Sequence, residues 1–187
     1  MADGNAQTVR RIEGQQTLLG RTQHTIFHNH IRDELVLPHP WAGAILTFAG
    51  DANGEVAPIR IIRGSNTGLA LSDQMTVDPI NNEYYIPIGQ GRNTTHVFDA
   101  LAEGNAAPIR VIRGLRARSV DYENDVILDS RGGVVQVFDR TVSGDATPIR
   151  EITGGPLSGN GGIGRPHWIP GTTNFLASTR PLGANTF

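Results

Sequence analysis

One eight-residue segment occurs four times in the sequence, and this repetition constrains the fold more than any other feature. The clearest copies occupy residues 57–64, 107–114 and 147–154, and a more divergent copy occupies residues 7–14. Successive copies are 50, 50 and 40 residues apart. Periods of this size are typical of solenoids, propellers and other repeat arrays. We therefore predict a repeat protein.

Each repeat predicts four short β-strands. In the second repeat they are residues 75–77, 83–88, 94–98 and 109–113, which are rich in β-branched and aromatic residues and are separated by turn residues. In the three clearest copies a proline precedes the fourth strand, which suits an edge position because proline lacks the N–H group that a central strand needs. No stretch of the chain shows a sustained apolar period of 3.6 residues. The predicted class is all-β.

The segments 121–128 and 137–150 carry the repeat pattern, and they resemble the NHL/YVTN-type β-propeller repeats of bacterial proteins. The resemblance covers nearly the whole chain. It implies a single β-propeller domain over residues 1–187, with repeats that end near residues 14, 64, 114 and 154. The physical reason for a ring is that a four-stranded sheet cannot bury both of its faces alone, whereas sheets arranged radially cover one another.

The order of strands along the chain predicts how the ring closes. The chain starts with a fourth strand and stops after a third, at residues 184–187. We therefore predict four four-stranded blades, the last of which combines residues 155–187 with residues 1–14. Two alternatives stay open: the chain is half of a larger ring formed by two chains, or it is a fragment of a six- to eight-bladed propeller.

The propeller architecture assigns the loops to two rims. Loops from a fourth to a first strand, and from a second to a third strand, share the top rim, and the other loops share the bottom rim. Arginines predominate in the top loops and acidic residues in the bottom loops, where turn chemistry also favours aspartate at positions 78 and 121. The candidate ligand-binding arginines of the top rim are Arg92, Arg131, Arg180, Arg116 and Arg118. Planar guanidinium groups suit carboxylates, sulfates and phosphates, so this rim is predicted to face an anion.

An aromatic residue adds to the predicted top rim. Trp41 follows His39 and Pro40 in a top loop, and an exposed tryptophan stacks on sugars or anchors a protein partner. We include Trp41 and His39 among the candidate ligand-binding residues. By contrast, the arginines that recur inside the fourth strand, at positions 10, 60, 110 and 150, are predicted to serve packing between blades or pairing with neighbouring acids.

The histidines suggest a different activity. His28 and His30 alternate along the chain and would share one face of an extended segment, where neutral imidazoles bind zinc or copper. A metal-dependent propeller lyase or hydrolase is therefore an alternative function. The sequence itself indicates no cofactor beyond such a divalent metal, and no catalytic residue is assigned.

Composition limits the range of partners. The formal net charge of −2 argues against a broadly basic nucleic-acid-binding protein, and no apolar run is long enough to predict a membrane span. The chain has no cysteine, which fits either a reducing or an oxidising compartment, and a secreted or cell-surface location is the expectation. The leading hypothesis is a non-enzymatic binding or scaffold propeller for a protein or an acidic glycan. A third hypothesis is a structural subunit that self-associates, the acidic bottom of one ring stacking on the basic top of the next.

Overall fold

The computed structural model describes residues 7–21, 23–72, 74–88, 93–131, 133–153, 167–168 and 175–176. Within these ranges the regular structure consists of β-strands and short 3-10 turns, with no α-helix. The predicted all-β class is therefore confirmed. In the same ranges, no helix is long and apolar enough to span a membrane.

In the described part of the chain, four groups of consecutive antiparallel strands follow one another, and each group is referred to as a blade. The first blade contains β1 (Phe27–Asn29), β2 (Glu34–His39), β3 (Ala44–Ala49) and β4 (Arg60–Arg63). The second contains β5 (Thr76–Asp78), β6 (Glu83–Pro87), β7 (Thr94–Asp99) and β8 (Arg110–Arg113). The third contains β9 (Ser119–Asp121), β10 (Val126–Arg131), β11 (Val134–Asp139) and β13 (Arg150–Ile152), and β12 (Gly144–Asp145) precedes β13 in the chain. The fourth is described by β14 (His167–Trp168) and β15 (Phe175–Leu176).

The strands predicted for the second repeat agree with β5 to β8 to within one residue at each end, and the second and third strands of the first three blades are largely buried. All five residues of β6 are buried, and its Tyr84 pairs with Phe98 of β7. The predicted third strand of the last blade, residues 184–187, lies outside the described residues.

The blades are arranged side by side around their first strands. The first strands β1, β5, β9 and β14 are neighbours in that order. Between the first and second blades, one apolar cluster joins Val36, Ile45 and Ile62 to Tyr84 and Phe98. A second cluster joins the second and third blades in the same way. Among the described residues, the first blade thus covers a face of the second and the second a face of the third, as a radial array requires.

The other face of the first blade is covered differently. Leu37, Leu46 and Phe48 form its apolar surface, and the described residues that pack on it from outside the blade include Ile12 and Leu19 of the N-terminal part of the chain. Beside this cover lies a groove of about 600 Å³, whose walls include Leu35, Leu37 and Phe48. On the second blade the corresponding face is filled by the first blade.

The outer edge of a blade pairs with the next blade, which the sequence analysis did not predict. The segment between the third and fourth strands, residues 50–59, 100–109 or 140–149, is called the excursion. In the second and third blades it runs back along the outermost strand of the preceding blade and pairs with it in parallel, Gly104 with Ile62 and β12 with β8, and in the first blade Gly54 pairs in the same way with Ile12 of the N-terminal copy of the repeat. We refer to this contact as the edge cap. It satisfies backbone groups that an edge strand would otherwise expose.

Candidate binding rim

Trp41 stands on a short turn whose backbone is fixed at both ends. The 3-10 turn η2 (Pro40–Ala42) lies between the buried strands β2 and β3. His39 caps its start, because its Nδ1 accepts a hydrogen bond from the N–H of Ala42 at 3.3 Å. Gly43 ends it in the left-handed conformation, with φ of 55°. The Trp41 residue is 75% exposed, which places a large aromatic surface in solvent on a constrained turn.

The same turn forms one wall of a groove of about 480 Å³. His39 and Ala42 contribute from the turn, and the opposite wall comes from the segment that follows the N-terminal copy of the repeat, with Leu18 and Leu19. Arg63 adds a cationic side chain to the lining. The imidazole of His39 also lies against Gly20, where an added Cβ would approach its Cε1 atom to 2.8 Å. His39 is therefore held by the fold and positions the turn, and Trp41 is the member of the pair that faces solvent.

The arginines of the third blade surround a buried carboxylate. Asp129, near the end of β10, is 1% exposed. Its Oδ1 lies 3.4 Å from Nε of Arg118, and its Oδ2 accepts a hydrogen bond from Arg131 at 3.2 Å. The main-chain N–H groups of Arg116 and Ser130 also donate to this carboxylate, at 3.0 Å and 2.8 Å. Asp129 thus organises the loop and holds two guanidinium groups beside each other.

This arrangement leaves positive charge at the rim, because two guanidinium groups share one carboxylate. The side chain of Arg131 is 47% exposed, while that of Arg118 is 22% exposed. The Nε atom of Arg116 is buried and has no hydrogen-bond partner among the described residues. Arg131 is therefore the member of this cluster that is most accessible to a ligand.

The predicted binding residues fall into two groups on different blades. Trp41 and His39 belong to the first blade, whereas Arg131 belongs to the third blade and Arg116 and Arg118 to the segment that leads into it. Two further predicted residues, Arg92 and Arg180, lie outside the described residues. Among the contacts of the described residues, none joins the Trp41 group directly to the Asp129 group. A single ligand that reached both would have to extend along the rim.

The histidines proposed as metal ligands lie at the opposite end of the first blade. His28 is exposed on β1, and its Nε2 lies 2.9 Å from Oδ1 of Asp33. His30 is exposed in the turn that follows. Between them, Asn29 is buried, and its side-chain oxygen accepts hydrogen bonds from the N–H groups of Ile31 and Arg32. Among the described residues, no group of three or more His, Asp or Glu side chains is placed to hold a metal ion. The metal site stays a prediction based on two residues.

The bottom rim contains a buried ionic network that the sequence did not predict as a whole. Glu83 is bound by Arg110 through two hydrogen bonds, of 2.6 Å and 2.9 Å, and by Arg140 of the next blade at 3.0 Å. The hydroxyl of Tyr85 donates to the same carboxylate. Burial alone would raise the pKa of Glu83, but the Arg110 guanidinium, the Tyr85 hydroxyl and the Arg140 charge hold it below the usual value. Burial and the adjacent carboxylate raise the pKa of Tyr85.

Two of the recurring arginines have the structural role that was predicted for all four. Arg60 donates to Glu34 at 2.6 Å, and Arg110 makes the equivalent contact with Glu83. Arg10, in the N-terminal copy, donates instead to the carbonyl of Gly50 at 2.6 Å. Turn chemistry also explains the bottom aspartates, since Asp78 and Asp121 each accept two main-chain hydrogen bonds from the turn that follows.

Comparison with known proteins identifies the fold. No protein-family model matches the chain, and no curated protein matches it in sequence. A chain in the crystal structure of the mitotic checkpoint complex is similar, with a TM-score of 0.57 and 13% identity over 82% of this chain and 43% of that chain. A protein from Bacteroides fragilis, provisionally assigned as a 6-phosphogluconolactonase, is similar with a TM-score of 0.50 and 17% identity over 69% of this chain and 38% of that chain.

Both similar structures have propeller-type folds, and the chain therefore has a propeller-like fold. The chain spans about two fifths of the length of each of them. One belongs to a protein complex and the other has an enzyme's name, so at this level of identity the likeness extends to the fold and not to an activity.

Proposed function

We propose that the chain is a non-enzymatic binding module whose top rim engages an anionic partner, a protein or an acidic glycan. The observation that supports this most directly is Trp41, which is 75% exposed on a turn that His39 and Gly43 hold in place. A rigid aromatic side chain loses little conformational entropy on binding, and tryptophan is enriched among residues that dominate binding energy.

The arginines of the top rim favour a partner that carries anionic groups. Arg63 lines the groove next to the Trp41 turn, and Arg131 projects from the third blade beside Arg118. A sugar ring or an aromatic side chain would stack on Trp41, while carboxylate or sulfate groups would pair with the guanidinium groups. Arg92 and Arg180, at the same loop position as Arg131, would extend this anion-binding surface to neighbouring blades.

We also propose that residues 1–187 form one propeller domain of NHL/YVTN type, with four blades closed by the N-terminal copy of the repeat. Two contacts support this. Ile12 pairs with Gly54 as Ile62 does with Gly104, and Arg10 donates to the carbonyl of Gly50 as Arg110 does to that of Arg140. The N-terminal copy therefore occupies, relative to the first blade, the position of the outermost strand of a preceding blade.

Binding to an array of carboxylated and sulfated glycans and to acidic peptides tests the proposed role of the rim. We expect Trp41→Ala to weaken binding by about 10- to 30-fold, the usual effect of truncating an anchoring aromatic residue. Arg131→Ala should weaken binding and also reduce its salt dependence. The matched control is Ile109→Ala, which removes an exposed apolar side chain from the outer edge of the second blade. Equal binding by the wild type and the Trp41→Ala variant would contradict the proposal.

The contact between His28 and Asp33 supports a second candidate function, the metal-dependent lyase or hydrolase. A carboxylate that holds an imidazole is the usual outer partner of a histidine metal ligand. If this function is correct, the protein purified without chelators will contain a stoichiometric divalent metal that His28→Ala removes. Metal-free protein, together with unchanged properties of the variant, would exclude it.

A further inference from the structure

The groove of about 480 Å³ on the top rim lies where the segment after the N-terminal copy of the repeat meets the first blade. This segment begins with the 3-10 turn η1 (Gln15–Thr17), and it contributes Leu18 to the lining. The first blade contributes the apolar Leu46 and Ile61 and the cationic Arg63. The volume falls within the range of about 300–1,000 Å³ that is usual for ligand pockets. All of these lining residues belong to the described part of the chain.

The same turn recurs one repeat later, where a side chain occupies the corresponding space. In η1 and in the 3-10 turn η3 (Ser65–Thr67), the threonine hydroxyl donates to the carbonyl of the preceding glycine, at 2.6 Å and 2.7 Å. The strand position of Leu46 is taken in the second blade by His96. The Nδ1 atom of His96 lies 3.1 Å from the carbonyl oxygen of Thr67, and a Cβ added to Gly68 would approach its Cε1 atom to 2.7 Å. The imidazole therefore fills the space between turn and strand that stays open beside Leu46.

Leu18 keeps an apolar side chain at a backbone position that suits glycine. Its φ is 57°, and Gly68, at the equivalent position after η3, has φ of 63°. A left-handed conformation is unfavourable for a bulky residue, and because Leu18 is 49% exposed, burial offsets only part of this cost. Strain that persists at an exposed position is typical of a functional surface. The leucine therefore serves contact at the lip of the groove better than it serves stability.

Arg63 differs from its counterpart Arg113 in the charge that faces it. The Nε of Arg113 donates to Asp145 of the adjoining excursion at 2.7 Å. The residue that corresponds to Asp145 beside Arg63 is Asn105, a neutral amide whose Oδ1 accepts a hydrogen bond from the N–H of Asn66 at 2.7 Å. Within the described ranges, the guanidinium of Arg63 has no ion pair and no hydrogen bond. The groove therefore combines an apolar lining with one positive charge that no carboxylate neutralises.

We propose that this groove binds an acidic peptide segment of a partner protein. An apolar side chain of the peptide lies against Leu18, Leu46 and Ile61, and a neighbouring carboxylate pairs with Arg63. The apolar lining favours a peptide over a glycan, because a sugar ring would leave hydroxyl groups unpaired against it. The inference rests on the proposed function of the top rim, and it defines the partner of the groove beside the Trp41 turn as a peptide.

Selection from a randomised library of short peptides, blocked at both ends, tests the chemistry of the groove with the full chain. We expect the bound peptides to be enriched in leucine, isoleucine or phenylalanine next to aspartate or glutamate. A selected peptide labelled with fluorescein then gives affinities by fluorescence anisotropy. Arg63→Gln should weaken its binding by about tenfold or more and remove the enrichment in acidic residues. The matched control is Arg113→Gln, which changes the equivalent arginine where Asp145 already pairs with it, and it should leave binding unchanged.

Two further variants change the groove without removing a core side chain. Leu18→Gly introduces the residue found after η3 and leaves the fold intact, because glycine adopts this backbone without strain. It should weaken the selected peptide by about threefold or more and reduce the enrichment in apolar residues. Asn105→Asp supplies Arg63 with the carboxylate that Asp145 gives Arg113, so acidic peptides should lose affinity although every lining residue is still present.

The outcomes separate this inference from the proposed function of the rim. A library that yields no enriched peptide, or a selected peptide whose affinity is the same for the wild type, Leu18→Gly and Arg63→Gln, would overturn the inference. Binding of oligogalacturonate that Arg63→Gln abolishes, with no peptide selected, would also overturn it and make the groove a glycan site. If Trp41→Ala weakens binding while Leu18→Gly and Arg63→Gln do not, the rim binds its partner outside the groove, and only the inference fails. If the two groove variants weaken binding and Trp41→Ala does not, the groove is supported and the role proposed for Trp41 is contradicted.

Discussion

Glu83 shows how a single residue connects two blades. The residue is 7% exposed, and its carboxylate receives hydrogen bonds from Arg110 of its own blade and from Arg140 of the next one. A carboxylate removed from water is stable only while such partners are present. The equivalent residue of the first blade, Glu34, binds Arg60 in the same way, but the third blade has Val126 at this position.

We expect Glu83→Gln to lower the free energy of unfolding by about 3 kcal/mol, because it leaves two part-buried guanidinium groups without their shared anion. Chemical denaturation monitored by far-UV circular dichroism measures this. Glu103→Gln, which changes an exposed carboxylate, is the control and should shift the free energy by no more than about 0.5 kcal/mol. Equal effects of the two substitutions would show that the network contributes no net stability.

The Glu83 network also predicts how stability depends on pH. The pKa of Glu83 is lower in the folded protein than its ordinary value of 4.5, so the unfolded state binds the proton more readily. The contribution is therefore fully present above pH 4.5 and is lost as the pH falls through the lower, folded pKa. Denaturation midpoints should fall more steeply on acidification in the wild type than in Glu83→Gln. Parallel pH profiles would contradict this.

Some of the residues in these ionic contacts could be predicted from the sequence. The recurrence of arginine at positions 60 and 110 was enough to predict a structural role, because a repeated position usually serves stacking. The role of Arg140 was not predictable, since Gly50 and Ala100 occupy the corresponding positions and no repetition marks it. Likewise, nothing in the sequence shows that Asp129 holds Arg118 and Arg131 together, because these contacts depend on how two loops meet.

At the scale of the strand, the second and third strands were the easiest elements to predict. β-branched or aromatic residues occupy three of the five positions of β6 and four of the six positions of β11. The edge caps were missed because they leave no pattern of apolar side chains. Their signal is one glycine in a left-handed conformation, which the sequence also uses in ordinary turns.

The cap at Gly104 makes a prediction about backbone conformation. Gly104→Ala should lower the free energy of unfolding by about 1 kcal/mol, because φ of 64° disfavours a Cβ even where space is available. Gly104→Asn should cost less, since asparagine visits this conformation more readily than alanine. Thermal and chemical denaturation of both variants provide the comparison. A larger loss for asparagine than for alanine would indicate that the position is governed by contacts and not by φ.

At the scale of the whole molecule, the repeat pattern predicted the radial order of the blades, which the neighbouring first strands confirm. The number of blades in the closed ring is a separate property, because it depends on the angle between blades and not on the composition of any one of them.

The proposed ring predicts the mass in solution. A ring closed within one chain should give the mass of a single chain by light scattering, at both low and high salt. A ring of two chains would give twice that mass at all salt concentrations, since apolar faces would hold it together. Head-to-tail stacking through opposite rims would instead give larger species that dissociate as salt screens the charges.

In every edge cap, a later segment of the chain pairs with the outer strand that precedes it, so local unfolding should spread preferentially in one direction. When the second blade opens, its excursion leaves the strand β4, and the first blade loses the partner of Ile62. The third blade keeps the hydrogen bonds among its own strands in that event, because no segment of the second blade pairs with them, although its excursion loses the bonds to β8 and Arg140 loses Glu83. Local opening should therefore spread towards the N-terminus more readily than towards the C-terminus. The opening of one blade should shorten the closed lifetime of the blade before it in the chain more than that of the blade after it.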